Sequence, residues 1–404
     1  MATDNASHRQ RRDLSKAVTI GDLRLVAGRR LPRGVFDFID GGAGDEVTLR
    51  DNRAAFERWS LLPRVASNVA ERKLATTMVG AGSSLPLIIG PTGLAGFFHR
   101  DGEAGIATAA AGAGIPFCLS ANSIASIEET ANGAPPAERW FQIYFLKDRE
   151  WMDGLVRRAR DSGYRVLCIT VDLPITGRRE RDVRNGFTMP LRPSVSTALD
   201  LMTKPAWVWG MMHTKARFGN FEVKPGAGFS SVAQHVASLF DPGAGWDDVA
   251  RLRDSWPGPV VVKGVLRAED AQRAVSIGAD AVAVSNHGGR QLDGVPAALS
   301  ALPEIVAAVD PSVEVYLDGG VRRGTDIVKA LALGARACMI GRPSAWGLSA
   351  AGTAGVSRAV SILRDELDNA LALLGVASVA AIGRDCIRRA DGFAAGHERK
   401  DERC

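Results

Sequence analysis

Short apolar runs recur along the 404-residue chain, each bounded by polar or glycine-rich stretches and most followed by a segment with helical spacing. Eight stand out: 87–89, 116–119, 141–144, 166–171, 260–262, 281–284, 313–317 and 338–340. Their apolar positions are nearly continuous rather than alternating, as expected of parallel strands covered on both faces. Helical patterns fill the gaps at 101–112, 126–131, 149–162, 268–277, 298–309 and 325–333. Eight strand–helix units over about 250 residues predict an α/β protein with a closed (β/α)8 TIM barrel, a doubly wound open sheet being the alternative.

One gap breaks the rhythm. An insertion of about residues 185–245 after the fourth strand carries Pro190, Pro193, Pro205 and Pro225, and is far longer than an ordinary βα loop. Within it, Pro205, Trp207, Trp209, Met211 and Met212 are flanked by Lys204, Lys215 and Arg217. Aromatics bordered by cations suit either a cover over the barrel mouth, a subunit contact, or a peripheral membrane contact through 204–217. Extra helices are expected at 19–30 and 356–374, and glycine-rich turn chemistry at 36–46. Residues 1–17 and 391–404 read as polar tails around a single domain at 18–390.

Composition narrows the setting. With 46% hydrophobic residues the chain has ample material for a large core. The net charge of +5 is spread along the chain beside acids, which suits small anionic ligands and argues against nucleic acid. Cys118, Cys168, Cys338, Cys386 and Cys404 are odd in number and lack CxxC spacing, so buried thiols in a reducing compartment are expected. No apolar run reaches about 18 residues and no signal peptide follows Met1. The expected location is cytoplasmic, with peripheral contact on the inner face of the membrane as the alternative.

Candidate chemistry collects at the strand ends, where barrels of this kind bind ligands. The sixth run leads into Ser285, Asn286, His287, Gly288, Gly289 and Arg290, placing a base and a carboxylate-binding cation three residues apart. The same positions hold Pro91, Thr92, Gly93, Ser120, Gln142, Tyr144, Thr170, Asp172 and Lys263. The last two ends, Asp318-Gly319-Gly320-Val321-Arg322 and Gly341-Arg342, match a phosphate site of glycine amides, a helix N-terminus and arginines. A phosphate-binding barrel without redox chemistry is the competing reading of those two loops.

The segments LPRGVFDFIDGGAGDE, IGPTGLAG, WFQIYF, ITVDLPITGRRERD, VVVKG, VSNHGGRQLDG, LDGGVRRGTDIVKALALGA and IGRP, in this order, resemble the FMN-dependent (S)-2-hydroxy acid oxidase and dehydrogenase family. The family includes glycolate oxidase, L-lactate dehydrogenase and (S)-mandelate dehydrogenase, the last closest in motifs. The resemblance implies that Pro91, Thr92, Gly93, Ser120, Gln142, Thr170, Lys263 and Ser285 hold the flavin ring. Asp318, Gly320, Arg322, Gly341 and Arg342 would hold its ribityl phosphate. His287 is the implied base, Asp172 its partner, and Arg179 and Arg290 the implied carboxylate clamp, with Tyr144 near the substrate hydroxyl.

This chain has Phe38 where many members place a tyrosine that binds the substrate carboxylate. Asn122 stands where glycolate oxidase has a tryptophan, and Gly93 where oxidases commonly have alanine. A roomier pocket with Phe38 and Phe97 nearby is therefore expected, suiting a mandelate-like or lactate-like acid. The implied activity is oxidation of an (S)-2-hydroxy acid to the 2-oxo acid, with electrons passing to a quinone, cytochrome or other acceptor. The alternative acceptor is O2, giving hydrogen peroxide. No metal is expected, and the resemblance implies a homotetramer.

Overall fold

The computed structural model describes residues 14–185, 195–212, 214, 218–221 and 238–390. Eight parallel strands close into a barrel in chain order: β1 Leu87–Ile89, β2 Phe117–Ser120, β3 Arg139–Ile143, β4 Val166–Thr170, β5 Val260–Val265, β6 Ala281–Ser285, β7 Glu314–Asp318 and β8 Ala337–Ile340. Closure is made where β8 pairs with β1, Cys338 opposite Leu87 and Ile340 opposite Ile89. Nearly every strand residue is buried because alternate side chains point into the barrel or out against the helices. Ile88, Cys118, Trp140, Cys168, Val261, Ala283, Tyr316 and Met339 belong to the interior set, while Ile89, Leu119, Phe141 and Val262 join the outer core.

The hairpin Thr76–Met78/Ala81–Ser83 lies at the N-terminal end of the barrel. Met78 and Val79 pack with the interior side chains, and Arg165 Nη1 donates to the Val79 carbonyl at 2.8 Å. The opposite end is left for the loops that follow the strands.

The helices at 101–112, 126–131, 149–162, 268–277, 298–309 and 325–333 are present within two residues of their expected limits. Three differences matter. The expected turn at 36–46 is half helix: Arg33–Asp40 is helical because Val35 and Ile39, four apart, bury one face, and the turn begins only at Gly41. The helix Val47–Glu57 was not foreseen, since its first amides are capped from far away. Asp293 accepts from Val47 N at 3.2 Å and from Thr48 N at 2.8 Å. The helix expected at 356–374 is present as the second of two within Arg342–Leu374, separated by a break at Ala351 and Gly352, the latter at φ +61°; the first, directly after β8, is the addition.

Within the insertion, Val195–Met202 and Pro205–Met212 are helices. Lys215, Arg217, Cys404 and most of both expected tails lie outside the described residues, although Ala17 is buried and its carbonyl accepts from Arg358 Nε at 3.0 Å. Cys118, Cys168, Cys338 and Cys386 are buried free thiols. No helix among the described residues is long and apolar enough to cross a membrane.

Candidate active site

A cavity of about 600 Å³ opens at the C-terminal ends of the strands. Phe38, Pro91, Thr92, Gly93, Ser120, Asn122, Tyr144, Thr170, Arg179, Lys263, His287, Arg290, Asp318, Gly320, Arg322, Gly341 and Arg342 all line it. Three further candidates stand directly behind that wall. Gln142 accepts from Ser120 Oγ at 3.0 Å, Asp172 pairs with His287, and Ser285 is wedged between Lys263 and Asp318.

His287 sits in the left-handed region at φ +57°, and Gly288 and Gly289 follow at +63° and +73°. Such a run curls the chain sharply and is tolerated only where neighbours over-determine it. Here the preceding Asn286 is locked to Asn52 by two reciprocal amide hydrogen bonds of 2.9 Å. The imidazole Nδ1 lies 3.0 Å from Asp172 Oδ1. Burial opposes ionisation of Asp172, but His287 and then Lys263 hold its carboxyl below the usual range, so it is an anion at neutral pH. Such an anion can fix the ring tautomer and stabilise an imidazolium, which leaves Nε2 available to accept a proton. Gly264, at φ +108°, makes room for it, since an added Cβ would lie 2.7 Å from the Asp172 carboxyl carbon. The Tyr144 ring lies nearly parallel to the imidazole, centroids 6.4 Å apart. Burial, and next the charge of Asp172, raise its phenol above the ordinary value, so the group stays a hydrogen-bond donor.

Lys263 presents a buried ammonium 2.6 Å from Asp318 Oδ2 and 3.1 Å from Ser285 Oγ. Burial works against its charge, yet the carboxylates of Asp318 and Asp172 outweigh it and raise the ammonium above its usual value. A fixed cation therefore faces the cavity floor. Its pairing with Asp318 was not legible from either strand end alone.

Four guanidinium groups converge on the same space. Arg290 Nη1 donates to the carbonyls of Phe38 and Gly41 at 2.6 and 3.1 Å, and Arg342 donates to Ile39, Gly288 and Gly41 at 2.8–3.0 Å. The carbonyls at the end of the helix Arg33–Asp40 thus help aim both side chains. Burial, reinforced by Arg179 and Arg342, pushes Arg290 well below its ordinary value, and burial lowers Arg179. Arg322 comes down to about 9 and Arg342 to about 10, burial again being the leading cause. Cations this desolvated call for anions. The Phe38 ring lies under both Arg290 and Arg179, at 4.9 and 5.6 Å, so this position offers a π face where a hydroxyl was otherwise expected.

The apolar wall differs from the expected one. Phe98 lines the cavity, whereas Phe97 does not; its carbonyl accepts from Trp207 Nε1 at 2.8 Å, which ties the insertion to the barrel mouth. Phe218 and Phe240 complete the wall from the insertion. Asn220 anchors that segment: its amide donates to Ala121 O and Ser123 Oγ at 3.1 and 2.9 Å, and its oxygen accepts from Ile127 N at 2.9 Å. No local pattern marked these residues, because only docking of the returning segment brings them to the site.

The cavity is a fit for a planar heterocycle carrying a phosphate tail. Among the described residues, Gln142 Nε2 and Thr170 Oγ1 are buried at adjacent strand ends with no hydrogen-bond partner, and Arg322 and Arg342 lack a carboxylate at bonding distance. Leaving such groups unmatched costs about 1–3 kcal/mol each, which a ligand offering ring nitrogens, carbonyls and a phosphate would recover.

A family model described as FMN-dependent dehydrogenase matches residues 27–389. An L-lactate oxidase of Nostoc sp. is 45% identical over 365 residues, covering 90% of this chain and 95% of that protein. An L-lactate dehydrogenase of Caulobacter vibrioides is 45% identical over 370 residues, covering 89% and 95%. The crystal structure of an (S)-mandelate dehydrogenase, described as a monotopic membrane protein, superposes with a TM-score of 0.89 at 38% identity, covering 93% of this chain and all of that one.

Proposed function

Because the chain belongs to the FMN-dependent dehydrogenase family, it is a flavoprotein oxidoreductase that oxidises 2-hydroxy acids at their CH–OH group, and we propose that it favours (S)-acids with an aryl side chain, mandelate-like before lactate-like. The observation that carries this reading is the meeting, in one cavity, of the Asp172–His287 pair, the guanidinium groups of Arg179 and Arg290, and a wall of Phe38, Phe98, Phe218 and Phe240. Acid chemistry needs the first two, and a bulky apolar side chain needs the third.

When bound, FMN supplies the two-electron acceptor for the substrate's C–H bond. Pro91, Thr92, Gly93, Ser120, Gln142, Thr170, Lys263 and Ser285 would hold its ring. Asp318, Gly320, Arg322, Gly341 and Arg342 would hold its ribityl phosphate. Arg179 and Arg290 clamp the substrate carboxylate, which orients the CH–OH carbon against the ring. His287 Nε2 takes the proton, and Asp172 steadies the resulting imidazolium. The Tyr144 hydroxyl donates to the substrate oxygen as it becomes a ketone. Lys263 would hold positive charge at the cofactor site, which would favour electron acceptance there. The acceptor proposed for the second half of the cycle is a quinone or a cytochrome; fast reoxidation by air would favour O2 instead.

The test is anaerobic. The visible flavin band of the purified protein should bleach faster with (S)-mandelate than with (S)-lactate. Faster bleaching by lactate would move the preference to small acids, and bleaching by neither would remove the aryl proposal.

A second reading concerns location. Leu199, Met202, Trp209 and Met212 are exposed on the two insertion helices, and the mandelate dehydrogenase of similar structure is described as monotopic. We infer a peripheral membrane contact through these apolar side chains. Removing residues 200–220 would breach the cavity wall at Phe218, so the substitutions Leu199→Ser, Trp209→Ser and Met212→Ser are the better probe. Wild type should float with anionic liposomes and the triple variant should not, with turnover on soluble acceptor unchanged; equal flotation would remove the contact. The homotetramer implied by resemblance is proposed on the same footing and is read by sedimentation.

A further inference from the structure

Gln291 follows the arginine of the His287 loop, does not line the cavity, and has no part in the chemistry above. Its side chain nevertheless crosses from one catalytic loop to the other. Nε2 donates to the carbonyls of Asp172 and Ile175, both at 3.0 Å, and Oε1 accepts from Gly177 N at 3.1 Å. One carboxamide therefore uses both donors and its acceptor on the backbone of residues 172–177. That stretch starts at the carboxylate that holds His287 and ends two residues before Arg179.

The two loops also meet backbone to backbone. An added Cβ at Gly177 would lie 2.4 Å from the Arg290 carbonyl and 2.7 Å from the Gln291 Cα. Arg179 Nε points at that same Arg290 carbonyl from 3.5 Å. Both loops leave strands of the barrel, and the turn at residues 43–44 touches each side, Ala43 N donating to the Gly289 carbonyl at 2.8 Å and Gly44 N to that of Arg178 at 3.0 Å; the direct ties between residues 172–177 and residues 287–291 are the contacts above and the Asp172–His287 pair.

We propose that Gln291 is a positioning residue: by clasping residues 172–177 to its own loop it sets Asp172 against His287 and Arg179 beside Arg290. Only a carboxamide does this. A glutamate of the same size would turn acceptors towards two carbonyl oxygens, and a leucine would leave all three backbone groups unmatched. A displacement of about 1 Å at a reacting group costs on the order of 10²-fold in rate. The inference rests on the reading of His287 and Asp172 as base and partner.

The experiment is a double-mutant cycle on the FMN-loaded enzyme, with kcat expressed per bound flavin and with KM for (S)-mandelate or, if that acid is not turned over, (S)-lactate. Gln291→Leu should lower kcat on the order of 10²-fold and raise KM, with flavin content retained. In an Asp172→Asn background the same change should lower kcat no more than about twofold, because the alignment it serves is already gone. A purely structural role would lower flavin content and thermal midpoint while leaving kcat per flavin unchanged, or would multiply with Asp172→Asn; either result overturns the proposal. If Gln291→Leu fails to fold, Gln291→Glu replaces it with the same expectations. An Asp172→Asn enzyme of undiminished kcat would bring down the base reading, and the inference with it, and that pattern is distinct from additivity.

Discussion

Replacing His287 by asparagine is expected to lower kcat roughly 10²- to 10⁴-fold while leaving FMN bound and the fold intact. Asparagine is the informative choice because residue 287 lies at φ +57°, a conformation that asparagine adopts more readily than glutamine or alanine. The reciprocal Asn52–Asn286 pair stays in place to hold the turn, so the change removes the base and little else. Its effect should exceed that of Asp172→Asn, which leaves the imidazole present but takes away the anion that fixes its tautomer. In the wild-type enzyme Asp172 does not set the acid limit of activity, since its carboxyl titrates below the usual range. The stability contributed by its ionised pairing is present above the unfolded carboxylate value and is lost only as pH falls through the lower folded one. Single-turnover bleaching of the flavin band at saturating acid measures the effect. A His287→Asn enzyme within tenfold of wild type would mean that the proton goes elsewhere.

The barrel was legible because its strands are buried on both faces and alternate with helices; that pattern left a doubly wound open sheet as the alternative, which the pairing of β8 with β1 removes. The strand-end chemistry was legible for a related reason: polar residues and glycines that end an apolar run have no packing role to explain them. What stayed hidden was set by tertiary contact. The helix Val47–Glu57 takes its cap from Asp293, 245 residues or more away, so nothing local announces it. Glycines at 41, 42 and 44 masked the helix Arg33–Asp40, although its last carbonyls help aim Arg290 and Arg342. Phe98 rather than Phe97 reaches the cavity because a short 3₁₀ turn at Ala95–Phe97 rotates the pair, and Phe218 arrives with a distant segment docked through Asn220 and the Gly219 amide. The resemblance supplied roles for residues, whereas the Lys263–Asp318 pair and the Phe38 contact with two arginines came from geometry.

Arg290→Met separates the demands of function from those of stability. Loss of one arm of the carboxylate clamp should cost about 2–5 kcal/mol in kcat/KM, or roughly 30- to 5,000-fold, seen mainly as a rise in KM. The same change should leave the thermal midpoint of the apoprotein nearly unaltered, because two opposing terms meet at this side chain. The wild-type guanidinium is buried beside Arg179 and Arg342, and burial with those two charges outweighs the favourable pull of Asp182 and opposes its charge. Against that, it donates to Phe38 O and Gly41 O, but Gly41 O keeps its bond from Arg342, so the bond to Phe38 O is the one lost outright. Arg290→Lys, which keeps the charge without the planar fork, should fall between wild type and methionine in kcat/KM. The decisive comparison uses the carboxamide of the preferred acid as an alternative substrate or competitive ligand. With no negative charge to clamp, it should bind wild type and Arg290→Met within a fewfold of each other. Equal losses for acid and amide would show that Arg290 shapes the pocket rather than reading the carboxylate.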